Sequence, residues 1–155
     1  IDTQIKEMEE QRKAARRKEI GEFFGDIASD LLEYVSLSQI YDNRWENAST
    51  STKAWKTDLS GQITRIRNDI EVIKANTSEA VPQALEEYKK THDLAKASMV
   101  IAAYERQKEE ILKREEERRR AKEEQDRRRE LERIRQEERE RIAAEERIRE
   151  EERKP

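Results

Sequence analysis

The stretch Trp55-Lys56-Thr57-Asp58-Leu59-Ser60-Gly61-Gln62-Ile63-Thr64-Arg65-Ile66-Arg67-Asn68-Asp69-Ile70-Glu71-Val72-Ile73 decides how the rest of the chain is read. Its large apolar residues Trp55, Leu59, Ile63, Ile66, Ile70 and Ile73 follow one another at steps of four, four, three, four and three. That spacing puts all six on one face of an α-helix and approximates a heptad seam, which needs a partner helix to cover it. The helix is expected from about Thr52 to Ala75, where Asn76-Thr77-Ser78 breaks it. Ser78 can cap a short third helix carrying Val81, Leu85 and Tyr88. Pro82 then lies in the first turn, where a missing N–H is tolerated.

Toward the N-terminus, Ile1, Ile5, Met8, Ala15, Phe23, Ile27, Leu31 and Tyr34 recur at helical spacing, so a first helix is expected from Ile1 to about Val35. Gly21 and Gly25 each weaken it by about 1 kcal/mol relative to Ala. They are expected to mark close packing around Phe23 and Phe24, with a bend as the alternative. Between the two helices, Ser36 to Thr52 is rich in turn formers and reads as a connector with one short helical turn.

Toward the C-terminus the character changes. Asp93 is placed to cap a last helix, because its carboxylate can accept from the free amides of the first turn. Leu94, Ala97, Ile101, Tyr104, Ile111 and Leu112 supply an apolar face, which then thins to Ala121, Leu131, Ile134, Ile142 and Ile148. Residues 105–154 hold 19 basic and 19 acidic residues with no Gly or Pro, while residues 1–104 hold every aromatic side chain. Acid-first pairs at i,i+4, such as Glu116–Arg120, Glu124–Arg128 and Glu137–Arg141, are individually weak but numerous enough to keep such a segment helical. At 46% charged and 33% apolar, the 155-residue chain departs far from an average domain, about 25% charged, and cannot bury a core along its whole length.

These elements predict an all-α fold, with a first stalk helix (1–35) returning antiparallel along a stalk segment (93–112) as a coiled-coil hairpin. A small helical tip (36–92) and a Glu/Arg-rich charged helical rod (113–155) complete it. The thin apolar stripe of the rod suits pairing with a segment preceding Ile1 or with a second copy of the chain, and a free-standing single helix is the alternative.

Chemistry is scarce. Three glycines form no phosphate cradle, and the chain has no cysteine and a single histidine, His92. No catalytic, metal or cofactor site is expected. A nucleophile–base pair would have to join His92 to Ser78 or Ser98, with nothing to orient it. The net charge of −3 implies no general attraction to nucleic acid or anionic membrane, and no apolar run approaches a membrane span. Trp45, Trp55, Tyr41 and Arg44 are the candidate partner-binding residues of the tip, with a place in its core as the competing role for the tryptophans. Arg12, Lys13, Arg16, Arg17 and Lys18 form two adjacent i,i+4 rows, a candidate phosphate-contact strip or a solvated ion-pair face.

The runs Ile1-Asp2-Thr3-Gln4-Ile5-Lys6-Glu7-Met8-Glu9-Glu10 and Arg16-Arg17-Lys18-Glu19-Ile20, with Arg44-Trp45-Glu46-Asn47-Ala48-Ser49 and Asp93-Leu94-Ala95-Lys96-Ala97, resemble one family over about residues 1–120. It is a phage protein family of unknown function, domain of unknown function 1351, of temperate siphophages of Gram-positive bacteria. The resemblance implies an IDxQIKxxE helix, a W-x-N-x-(S/T) element, an isoleucine-seamed helix and a charged C-terminal helix, in that order. It also implies a further N-terminal portion and a genetic neighbourhood of recombination and replication genes, and it assigns no catalytic residues. The expected function is a non-enzymatic phage accessory protein of DNA recombination or replication in the host cytoplasm. Its partner is expected to be a phage recombinase, a single-strand-binding protein or a host enzyme, with nucleic acid as a further ligand. Two alternatives are an inhibitor of a host nuclease or defence complex and a structural scaffold or spacer in virion assembly.

Overall fold

The computed structural model describes residues 2–154, and among them the chain is helical without a strand. Its elements are α1 (Asp2–Ile27), α2 (Leu37–Ile40), a 3-10 turn (Asn43–Glu46), α3 (Thr52–Lys74), α4 (Val81–Thr91) and α5 (Leu94–Arg153). Two compact units divide at Glu105/Arg106: a head and a distal helical segment.

In the head, α3 is the central helix. All six seam residues are buried, at 0–3% exposure. Against them pack Ile20 and Phe24 of α1, Ala84 and Tyr88 of α4, and Ala97 and Ile101 at the start of α5. The principal partners of α3 are α1 and α4, and α1 also touches the 3-10 turn. The helix that α1 leans on is therefore α3, where the sequence suggested the start of α5.

Helix α1 stops at Ile27, eight residues before the expected end. Ala28 to Val35 instead form consecutive tight turns, with Leu31 N–H donating to the Ala28 carbonyl (2.9 Å) and Tyr34 N–H to that of Leu31 (2.8 Å). Turns closed at i+3 repeat with nearly the helical period. Ala28, Leu31 and Tyr34 consequently reach the core at the same spacing a helix would give. At the other end of α1 the apolar face is unpartnered, with Ile5 at 57% and Met8 at 70% exposure, while Ile1 lies outside the described residues. Gly21 and Gly25 do not mark close packing. A Cβ built at either position meets nothing within 4 Å.

Local capping follows the sequence closely. Ser51 Oγ accepts from Ala54 N–H (3.1 Å) at the start of α3, and Pro82 occupies the first turn of α4. Ser78 Oγ accepts from Ala80 N–H (3.1 Å), so it closes the turn before α4 while Ala80 holds the cap position. Asp93 Oδ1 accepts from Ala95 and Lys96 N–H (2.9 and 3.3 Å), capping α5. Between α4 and α5, His92 adopts a left-handed conformation (φ 50°, ψ 32°) that ends α4. This conformation strains a non-glycine residue. It is held by the ring, whose Nε2 donates to the Tyr34 carbonyl at 2.9 Å.

In the distal segment α5 continues from Arg106 to Arg153. Glu116–Arg120 (3.1 Å) and Glu124–Arg128 (3.0 Å) close as expected. Arg119 and Arg133 do something else, each reaching an acid three residues back and another four residues on. Arg119 brackets Glu116 and Glu123, and Arg133 brackets Glu130 and Glu137. A planar guanidinium has donors on several edges and can serve both turns at once. The hydrogen bonds from Arg119 and Arg133 hold the Glu116 and Glu130 carboxyls below their ordinary range.

Candidate functional site

Both tryptophans belong to the core. Trp55 is 0% exposed and meets the edge of Phe23 at 5.6 Å between centroids. Its Nε1 is buried with no hydrogen-bond partner among the described residues. Trp45 is 3% exposed, packs edge-on against Tyr41 (5.5 Å), and its Nε1 donates to Asp58 Oδ2 at 2.8 Å. Neither ring is presented to a partner, which corrects the docking role expected of them. A head with so few large apolar residues needs both to fill its interior. Tyr41 is half-buried and donates its hydroxyl to Glu46 Oε2 (2.7 Å). Burial and then that carboxylate push its phenol well above the usual range. Arg44 is the one exposed member of the four, and its guanidinium folds back on Asp42 (2.8 Å).

The basic rows of α1 are also largely spent inside the molecule. Arg16 Nη1 donates to the carbonyls of Trp45 (2.7 Å) and Thr50 (3.1 Å). Arg12 Nη1 donates to the Glu46 carbonyl (2.9 Å), and Arg17 Nη1 to the Glu46 carboxylate (2.9 Å). Together they clasp the 3-10 turn, whose last carbonyls have no helical acceptor role left to fill. Lys13 and Lys18 lie beside this clasp, half-buried and exposed respectively. A phosphate on this strip would meet guanidinium edges that are already partly engaged within the head. Sequence reasoning missed Glu46 and Thr50 as their partners, and no local signal marked either.

A concavity of the head lies elsewhere. An open groove of about 1080 Å³ is lined by Gln39 and Asn43 from the connector, Gln62, Arg65 and Asp69 from α3, and His92 and Asp93 from the α4–α5 junction. Asp42 completes its acidic side, so three carboxylates face one guanidinium. Each acid has structural work. Asp42 holds Arg44, Asp93 caps α5, and Asp69 accepts from the Tyr88 hydroxyl at 2.7 Å. Burial, with that hydrogen bond second, pushes the Tyr88 phenol up. His92 is engaged with the Tyr34 carbonyl, and Ser78 Oγ donates to Glu105 (2.6 Å), so the serine–histidine pair is not formed. The groove offers polar edges suited to recognition.

Among the described residues, no group of three or more His, Cys, Asp or Glu side chains is arranged to hold a metal ion. No helix there is long and apolar enough to cross a membrane. No curated protein and no solved structure is significantly similar to the chain. One family model matches residues 1–123, covering the whole head and the start of the distal segment. The chain therefore belongs to DUF1351, a family described as a protein of unknown function.

Proposed function

We propose that this protein is a non-enzymatic phage accessory module of DNA recombination or replication, acting in the host cytoplasm by binding a protein partner through its head groove. The observation that carries the reading is the charge placement in the head. The groove carries Asp42, Asp69 and Asp93 against Arg65, a balance that repels phosphate and suits a polar or basic protein surface. The arginines that would suit DNA are engaged with Glu46 and with the carbonyls of Trp45, Glu46 and Thr50. The phage setting and the link to annealing or single-strand-binding proteins rest on the sequence resemblance.

The test is a pull-down with the tagged chain from nuclease-treated, phage-infected cells, repeated with Arg65→Glu and Asn43→Arg. Both positions are exposed on the groove, so the variants should fold normally and lose the partner. Retention of the same partner by both would overturn the groove as the site. Salt-sensitive binding of the purified chain to single-stranded DNA would overturn the protein-partner reading. Recovery of a host nuclease, displaced by DNA, would replace it with the inhibitor reading.

A further inference from the structure

In the distal segment, one face of α5 sorts its side chains by heptad position. With Leu131 at a and Ile134 at d, the other a positions are Glu117, Glu124, Glu138, Glu145 and Glu152, and the other d positions are Lys113, Arg120, Arg127, Arg141 and Ile148. Leu131, Ile134 and Ile142 stand 45–48% exposed on or beside this face. We propose that the face pairs antiparallel with the same face of a second copy of the chain.

The orientation follows from the charges. In a parallel pair a faces a and d faces d, so each glutamate and each arginine of the seam would meet its own counterpart. In an antiparallel pair a faces d. Setting Leu131 against Ile134 of the second copy brings Glu124 to Arg141, Glu138 to Arg127 and Glu145 to Arg120, each contact made twice by symmetry, while Glu117 meets Ile148, the one a–d contact without an opposite charge or an apolar match. The same register sets Glu152 beside Lys113, so the overlap lies wholly within residues 106–155. Ala121 falls beside Ile142 and extends the apolar centre.

The flanks place like charges together, Glu116 near Glu151, Glu130 near Glu137, Arg114 near Arg149 and Arg128 near Arg135. Part of that repulsion is already relieved within each helix. Arg133 holds both Glu130 and Glu137, and Glu124 holds Arg128. Short apolar content and exposed charge make the pair reversible, a concentration-dependent dimer and not a permanent one.

Sedimentation of the full chain over a concentration series should show a mass approaching twice 18.6 kDa. The combined change Leu131→Glu and Ile134→Glu should return it to monomer with the head's unfolding transition unchanged. Arg127→Glu with Arg141→Glu should also dissociate the pair, and adding Glu124→Arg with Glu138→Arg should restore it. Orientation is read by a short bis-maleimide, since the chain has no cysteine of its own. Chains bearing Lys113→Cys mixed with chains bearing Glu152→Cys should cross-link to each other. Products joining only like variants would establish a parallel pair and overturn the proposal, as would a monomer at every concentration.

Discussion

Arg16 and Trp45 are joined by a 2.7 Å hydrogen bond from guanidinium Nη1 to backbone carbonyl, across 29 residues of chain. The same nitrogen reaches the carbonyl of Thr50, so one side chain of α1 ties down both ends of the segment that delivers the Trp45 ring to the core. Replacing Arg16 with Gln should destabilise the head by about 1–3 kcal/mol, the range for losing hydrogen bonds to a charged donor. Lys at this position should recover only part, because a point charge cannot match the fork. Urea unfolding followed by tryptophan fluorescence measures both. An unchanged midpoint for Arg16→Gln would contradict the clasp.

Burial of the two tryptophans predicts that Trp45→Ala and Trp55→Ala are similarly damaging, about 3–5 kcal/mol each, from lost transfer energy and the cavity left behind. A docking residue would behave differently, losing a partner while unfolding normally. Thermal melts of the two variants distinguish these cases. A Trp45→Ala protein with the parent melting temperature would put that ring back at the surface.

Gly21 and Gly61 sit inside helices with open space where a Cβ would be. Alanine at either position should stabilise the head by about 0.5–1 kcal/mol, through lower backbone entropy in the unfolded chain and better helix propensity. With open space at both positions, the gains should add. Loss of stability in either variant would reveal packing at that helix surface.

Asp30 fixes the turns after α1 to α3 through Arg67, at 2.7 Å. The hydrogen bond from Arg67 is the main cause holding its carboxyl below the ordinary value of 3.8. A lowered folded pKa stabilises fully above the unfolded value and loses that contribution as pH falls through the folded one. The stability gap between the parent protein and Asp30→Asn should therefore be constant at neutral pH and shrink on acidification below 3.8. A gap that widened in acid would reverse the sign of this linkage.

The elements that were legible before the fold share a property: their stabilising groups lie within one or two helical turns of each other. The α3 seam, Pro82 in the first turn of α4, the Asp93 cap and the Glu116–Arg120 and Glu124–Arg128 pairs are all of this kind. Helical periodicity misled where another conformation copies it, as in the i+3 turns from Ala28 to Val35, and at Ile5 and Met8, which are helical but exposed. Both phenylalanines reach the core, Phe24 at 7% exposure and Phe23 half-buried against Trp55, although the periodic pattern counted only Phe23.

By itself the sequence determined that this protein is helical, where its central helix lies, and that its last fifty residues can hold a helix by local charge pairing. Tertiary structure decided what the side chains at the head are for. Arg12, Arg16 and Arg17 look like a phosphate strip until the chain folds, and then they face Glu46 and the carbonyls of Trp45, Glu46 and Thr50. A backbone carbonyl is the same group in every residue, so no side-chain pattern announces which one will accept a hydrogen bond. Only the crossing of α1 over the 3-10 turn brings those acceptors within reach.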